Sequence, residues 1–121
     1  MTGRVVTLTS DNVVNIREIM YSFDELCKLI GSDGLEVVKT LRLVDYFSDA
    51  FDCSGRMICM LVDDLGAVKG LPVNDFASYM YGALDCFIHG DVIFLEIDQY
   101  GQDYPLDSPE YVLALIERYF I

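Results

Sequence analysis

Four aspartates are the residues of this chain whose type and placement best suit a metal ion. Asp63 and Asp64 follow one apolar run, and Asp91 and Asp98 bracket a second. Carboxylate oxygens are the ligands that magnesium and calcium prefer. The chain has no D-x-D-x-D-G loop, however, and aspartates at strand ends are commonly turn residues. We therefore predict no metal site and no cofactor.

A cysteine and the single histidine of the chain, Cys86 and His89, have the types of a nucleophile and its base. Their spacing puts both on one strand and turn, without a third group to orient the histidine. None of the glycines belongs to a G-x-G-x-x-G motif or a P-loop. With no catalytic signature left, we predict that the protein is not an enzyme.

Three cations and one tyrosine are the residues that could line a pocket for an anionic ligand: Arg42, Arg56, Lys69 and Tyr100. Such a pocket, with aromatic side chains to stack on a base, would suit an oligomeric protein that sequesters a nucleotide signal. We keep this small-molecule binder as the alternative function.

The apolar run 57–62 is the element that the rest of the chain is expected to surround. Six apolar residues followed by two carboxylates predict a strand buried on both faces, which we expect at the centre of a sheet. Alternation and turn residues along the chain predict the order β-β-α-β-β-β-α-β-α. The predicted strands are 4–9, 13–20, 35–44, 57–62, 67–69 and 92–97.

Three short helices are predicted from their caps. Ser22 and Glu25 form a capping box, Asn74 can cap a second helix, and Ser108 precedes a proline at the first position of a third. Most connections between strands are too short for parallel crossovers. The sequence predicts a single α+β domain over residues 1–121, a mainly antiparallel sheet with about three short helices packed on it.

The segment 45–55 mixes aromatic side chains with acids and turn residues, and we interpret it as a loop or a single helical turn. Its three aromatic residues, Tyr46, Phe47 and Phe51, are expected to pack on the core rather than form an exposed patch.

The chain is strongly acidic. Its formal net charge is −12, and residues 51–121 hold twelve acidic against three basic residues. Such charge repels nucleic acid and anionic membranes, so we predict no direct contact with either. A basic protein would be attracted instead. Alternatively, the acidity only keeps an apolar domain in solution.

The four cysteines, Cys27, Cys53, Cys59 and Cys86, include no C-x-x-C pair, which argues against zinc. The first residues lack the apolar region of a signal peptide, and no apolar run approaches the roughly 18 residues that span a bilayer. We predict a cytoplasmic protein with reduced, mostly buried thiols.

Several motifs follow one another through most of the chain. A hairpin leads to a helix that closes at Gly31, and an apolar run leads through Asp-Asp-x-Gly to Gly70-Leu71-Pro72-Val73-Asn74. A turn at Ile88-His89-Gly90-Asp91-Val92-Ile93 comes next. In this order the motifs resemble the family of domains of unknown function numbered 3846, found mostly in bacteriophages, plasmids and their hosts. The segment 46–51 and the core cysteines depart from that pattern.

The resemblance implies an accessory protein of a phage or mobile element in a bacterial host cell, with no catalytic residues. Together with the acidity it leads to the hypothesis that the protein binds a basic host protein by presenting carboxylates in place of phosphates. Inhibition of a nucleic-acid-guided defence complex, as by an anti-CRISPR protein, is one form of this hypothesis. The carboxylates assigned to the contact are Asp63, Asp64, Asp91, Asp98 and Asp103.

The last helix carries more apolar side chains than one helical face can bury. Leu113, Phe120 and Ile121 lie off its main apolar stripe, and an exposed patch of this kind usually marks a binding surface. We predict a homodimer, or a partner surface, that includes this helix. The alternative is burial between the sheet and the segment 45–55.

Overall fold

The computed structural model describes residues 1–48 and 55–120. In chain order its elements are β1 (Thr2–Leu8), β2 (Val14–Met20), α1 (Phe23–Ile30), β3 (Leu35–Val38), α2 (Leu41–Tyr46), β4 (Arg56–Asp63), α3 (Asp75–Tyr81), β5 (Val92–Asp98), β6 (Asp103–Tyr104) and α4 (Pro109–Tyr119). Every strand pair is antiparallel, in the order β2-β1-β5-β4-β3, and β6 pairs with β5. The predicted α+β class is confirmed.

One face of the sheet, which we call the three-helix face, packs under α2, α3 and α4. Its strands contribute alternate residues, because successive side chains of a strand point to opposite faces. Phe47, Phe76 and Phe94 meet there as close ring pairs, with centroids 5.8 to 6.4 Å apart. The buried apolar strand residues of this face are Val6, Leu8, Val38, Ile58, Met60, Val62, Val92 and Phe94.

The opposite face, which we call the one-helix face, packs under α1. Leu26 is the buried residue of that helix, and it lies on Val5, Cys59, Ile93 and Leu95. An eight-residue helix covers less of the sheet than three helices do, so part of this face stays open toward β3.

The centre of the sheet is β5, whereas β4, predicted there, lies beside it. Both strands are buried on both faces, which explains their nearly continuous apolar runs. The prediction of strand burial is therefore confirmed, and the prediction that the run 57–62 forms the central strand is wrong.

Two of the predicted strands are wrong in extent or type. The strand predicted at 35–44 ends at Val38, because Thr40 Oγ1 accepts a hydrogen bond from Leu43 N–H at 3.1 Å and caps α2. The strand predicted at 67–69 is a succession of turns, in which Lys69 N–H donates to the Leu65 carbonyl.

The aromatic residues of 45–55 pack as predicted where the structure describes them. Phe47 is buried, and Tyr46 is half-buried with its hydroxyl donating to the Leu115 carbonyl at 2.5 Å. Phe51 lies outside the described residues.

The cysteines are less buried than predicted. Cys59 is buried, Cys27 is half-buried and Cys86 is exposed, while Cys53 lies outside the described residues. None of the helices in the described part of the chain has the length and apolarity needed to cross a membrane.

A buried asparagine joins three parts of the fold. The Asn74 side chain donates to the carbonyls of Leu8 and Gly90, at 3.1 and 3.0 Å, and accepts from Ala77 N–H at 3.2 Å, so it also caps α3. Asn74 is fully buried. It thereby holds the end of β1, the turn before β5 and the start of α3 together.

The turns around Asn74 close on one another through the backbone. Gly90 N–H donates to the Pro72 carbonyl at 2.7 Å. A side chain at Gly66 would place its Cβ 2.6 Å from the His89 carbonyl oxygen, which only glycine avoids. The Asp-Asp-x-Gly and Gly-Leu-Pro-x-Asn motifs are thus parts of one packed junction.

We predict that Asn74→Ala lowers the free energy of unfolding by about 3 kcal/mol, because it removes a helix cap and the side-chain donor to two carbonyls in the core. Asn74→Asp should cost at least as much, since it keeps the cap acceptor but sets a carboxylate against both carbonyls. Urea denaturation measures both changes.

Ser22→Ala is the matched control, because Ser22 caps α1 from an exposed position. It should cost about 1 kcal/mol. Equal losses for Asn74→Ala and Ser22→Ala would show that Asn74 acts only as a cap.

Candidate functional site

The five aspartates assigned to partner binding lie at two opposite ends of the sheet. Asp63, Asp64 and Asp91 are at one end, because β4 and β5 are antiparallel, and Asp98 and Asp103 are at the other. The seven residues of β5 separate the two ends by about 20 Å. In the described part of the chain, no three His, Cys, Asp or Glu side chains are grouped so as to hold a metal ion.

Asp63 is buried and paired. Its carboxylate accepts from Lys69 Nζ at 2.7 Å and from Leu65 N–H at 2.9 Å. Burial raises the pKa of Asp63, but these hydrogen bonds, with one from Ser32, outweigh burial and hold the pKa below its ordinary range. Asp63 therefore presents almost no free carboxylate, whereas its neighbour Asp64 is exposed.

The other three aspartates also accept hydrogen bonds from their own chain. Asp98 Oδ1 accepts from two amides of the turn that follows, at 2.9 Å each. Asp103 accepts from the Tyr21 hydroxyl at 2.6 Å, and Asp91 from Ser10 N–H at 3.1 Å. Burial, and then Asp103, raises the pKa of Tyr21. All three are half-buried, and their role in partner binding stays a prediction.

A carboxylate that the sequence reasoning missed, Glu96, is fully buried on the three-helix face. It accepts from Asp107 N–H at 2.7 Å and from Arg56 Nη1 at 3.4 Å. The Arg56 guanidinium lies 3.6 Å from the centre of the Tyr104 ring. Burial raises the pKa of Glu96, and the hydrogen bonds from Asp107 and Arg56 offset only part of that effect.

Glu96 ties the segment after β6 to the central strand, and its carboxylate is engaged by Asp107 N–H and Arg56. Its signal in the sequence is a single carboxylate inside the apolar run 92–97. We interpret it as a structural group.

Cys86 and His89 lie on the wall of one cavity of about 150 Å³. His89 Nδ1 lies 2.8 Å from the Leu71 carbonyl, which can only accept, so this nitrogen carries the proton. Cys86 is exposed and is not hydrogen-bonded to His89. The histidine therefore links the turn before β5 to the segment before α3, close to Asn74.

The four residues considered for an anion pocket do not converge. Arg56 begins β4 and Lys69 follows the end of that strand, and both are ion-paired. Tyr100 is exposed in the turn between β5 and β6. Of these four residues, Arg42 lies at a larger opening beside α3 and α4.

An aromatic groove of about 550 Å³ opens between α3, α4 and the loop 82–87. Its lining includes one cation and five aromatic or apolar side chains: Arg42, Tyr79, Leu84, Phe87, Tyr119 and Phe120. Leu84 is 94% exposed and Phe87 57% exposed, so apolar surface faces solvent here. We refer to this opening as the aromatic groove.

Ring contacts connect the aromatic groove to the core. Phe76 points into the core from α3 and packs edge-on against Tyr119, with centroids 4.9 Å apart. Tyr119 in turn contacts Phe120 at 5.0 Å and Tyr79 at 5.5 Å. Aromatic pairs at these separations are favourable, so the rings of Tyr79, Tyr119 and Phe120 are held in place.

The remaining wall is set by α2 and by the turn after α3. Arg42 donates to the Tyr79 carbonyl at 2.8 Å, and its guanidinium lies 4.5 Å from the centre of the Tyr79 ring. Gly82 closes α3 in the left-handed conformation. Ser78 Oγ then accepts from Ile88 N–H at 2.8 Å and fastens the far end of the loop.

The residues predicted at the C-terminal surface have different positions. Phe120 lies in the aromatic groove and is 38% exposed, whereas Leu113 packs partly on the core. Ile121 lies outside the described residues.

Leu84 and Phe87, which the sequence reasoning assigned to no surface, had one signal. They belong to the segment 84–88, which is apolar except for Asp85 and fitted no predicted strand or helix.

We predict that Glu96→Gln becomes more stable relative to the wild type as the pH rises from about 4 to about 7. Because the pKa of Glu96 is raised in the folded state, its contribution to the free energy of unfolding is fully present below the unfolded-state pKa. That contribution is lost as the pH rises through the folded-state pKa. Glutamine does not ionise and can still accept from Asp107 N–H. Urea denaturation at several pH values measures the difference.

Asp63→Asn is the control of opposite sign. Because the folded pKa of Asp63 is lowered, its contribution is present above about pH 4 and is lost as the pH falls below that value. The variant should be less stable than the wild type at neutral pH, by a deficit that shrinks in acid. Parallel pH profiles for Glu96→Gln and the wild type would contradict the assignment of Glu96.

Comparisons with protein-family models, with curated protein sequences and with solved structures find no match to this chain. The resemblance to the domains of unknown function numbered 3846 therefore stays a prediction.

Proposed function

We propose that this chain is a protein-binding domain without catalytic activity, and that its partner is a basic protein that docks at the aromatic groove. The observation that supports the proposal is the set of partly exposed rings of Tyr79, Tyr119 and Phe120, which Phe76 supports directly or through Tyr119. Interface hot spots are enriched in aromatic residues that fill well-packed positions. Rings that are already ordered lose little conformational entropy on binding.

The charge of the chain favours a basic partner over a second copy. Each copy carries a formal charge of −12, so two copies repel, whereas a basic surface is attracted over a distance. Asp75 is at the groove itself, and the exposed Asp85 lies between Leu84 and Phe87 in sequence. These carboxylates can meet cations at the rim while apolar side chains fill the centre.

The biological setting of the proposal rests on the family resemblance alone. A phage or mobile-element protein in the cytoplasm of a bacterium would meet a host protein, and a nucleic-acid-binding host factor is basic. Imitation of nucleic acid remains one form of the proposal. Asp63 is engaged within its own chain, so that form depends on exposed acids such as Asp64.

A second candidate function, sequestration of a nucleotide, keeps one observation in its favour. Arg42 and Tyr79 place a guanidinium and an aromatic ring in an opening whose volume is in the range of small-molecule sites. The net charge of the chain opposes an anionic ligand. A thermal-shift screen with cyclic and ADP-ribose-type nucleotides tests it, and stabilisation that Arg42→Ala abolishes would favour it over protein binding.

We predict that Leu84→Asp and Phe87→Asp each weaken the partner complex by about 30-fold or more, the equivalent of a hot-spot loss of about 2 kcal/mol. The partner is first captured from bacterial lysate on the immobilised wild type, and its affinity is then measured as a purified protein. Because the contact includes charge pairs at the rim, added salt should weaken it.

Val68→Asp is the matched control. Val68 is 83% exposed in the turns between β4 and α3 and does not line the groove, so the same change of charge should leave binding intact. A captured protein that binds all three variants equally would contradict the proposal. If light scattering shows that the wild type is a dimer and that Phe87→Asp is a monomer, the groove binds a second copy of this chain and not a basic partner.

A further inference from the structure

The strand β3 leaves one edge of the sheet without a neighbour in the described part of the chain. Asp64 N–H donates to the Gly34 carbonyl at 3.3 Å, and these two residues are directly opposite in the register. Hydrogen-bonded and non-hydrogen-bonded pairs alternate in an antiparallel ladder. The backbone groups of Glu36 and Val38 therefore point to β4, and those of Leu35 and Val37 point outward.

An apolar opening lies beside this edge, on the one-helix face. It has a volume of about 340 Å³ and lies between the start of α1 and the sheet. Val37 is 49% exposed and Phe23 51% exposed, so its rim is unoccupied apolar surface. Its apolar lining includes Phe23, Leu26, Leu35, Val37, Leu61 and Ile97.

Carboxylates surround the start of β3. Asp33, Glu36 and Asp64 are all exposed. Burial, and then Asp24, Asp33 and Asp64, raise the pKa of Cys27, so the fields of these carboxylates overlap on this side of the molecule. A cationic group that approaches the start of β3 meets these carboxylates, whereas the exposed Lys39 follows the end of the strand.

We propose that the edge of β3 binds an extended segment of a basic protein as an added strand. An extended peptide can use the outward amides and carbonyls of Leu35 and Val37 for its backbone hydrogen bonds. Its residues opposite Val37 point to the one-helix face and fill the apolar opening. Its alternate residues point to the other face, where Glu36 is exposed, and are basic.

The same features argue against a second copy at this edge. Antiparallel pairing of two β3 strands through their outward groups, with Leu35 opposite Val37 of the other copy, would set Glu36 directly opposite Glu36 of that copy. Like charges in that position are destabilising. A segment with alternating apolar and basic side chains has no such conflict.

This binding edge does not depend on the aromatic groove, because the apolar opening is on the one-helix face and the groove is formed by α3 and α4. Leu84→Asp should therefore leave binding at β3 unchanged. Loss of binding at the aromatic groove and loss of binding at β3 are therefore measured by different variants, and one proposal can be wrong while the other holds.

The probe is the fluorescently labelled peptide Lys-Val-Lys-Ile-Lys-Val, with blocked ends, measured by fluorescence anisotropy at low salt. We expect it to bind the wild type and to bind Val37→Pro at least about tenfold more weakly, because proline removes one outward N–H and leaves the ladder to β4 intact. Glu-Val-Glu-Ile-Glu-Val should not bind.

Glu18→Pro is the control on the other edge of the sheet. By the same alternation its amide points away from β1, so the variant loses an outward N–H and a negative charge at a distance from β3. Its affinity for the peptide should equal that of the wild type. Equal binding by Val37→Pro, or no binding by the wild type at millimolar peptide, would overturn the proposal.

Hydrogen exchange on the wild type is a second measurement, and it does not depend on whether the Val37→Pro variant folds. The amides of Leu35 and Val37 should exchange fast in the free protein and slowly with saturating peptide. Amides protected at the aromatic groove and not at β3 would overturn the assignment of the edge.

Discussion

The buried side chain of Asn74 is the interaction on which the arrangement of this fold depends. One amide group holds β1, the turn before β5 and the start of α3 in fixed relation, and all of its hydrogen bonds are made within the chain. A buried amide without these partners would cost free energy, so the three parts must come together in one geometry. The position of α3 follows, and with it the position of Phe76 and the rings that Phe76 supports.

The unequal covering of the two sheet faces leads to both candidate surfaces. Three helices fill one face so completely that the aromatic side chains at the end of α4 and beside α3 remain on its rim. A single short helix leaves the other face open next to β3. Apolar surface that a monomer does not bury is the kind that partners use, and an acidic exterior attracts basic proteins more than acidic ones.

Several aspartates that looked available for chemistry in the sequence complete the fold instead. Asp63 pairs with Lys69, and Asp98 accepts the amides of its own turn. A strand-end aspartate has backbone N–H groups within reach of its short side chain, which is the physical reason that such residues favour turns. Glu96 had the opposite outcome, because a strand that is apolar on both sides carried its carboxylate into the core.

The sequence by itself determined the fold class, because apolar runs, caps and short connections depend on neighbouring residues only. It predicted β5 and the caps at Ser22 and Asn74 correctly, since each signal is local. Only the tertiary structure decided that 35–44 divides into β3 and α2, because Thr40 Oγ1 also donates to the Met80 carbonyl and Arg42 donates to the Tyr79 carbonyl, which holds α2 against α3. It also decided that β5 is central, that Leu84 and Phe87 face solvent, and that the acids separate to two ends. Those outcomes depend on which distant segments meet, and no local pattern encodes that.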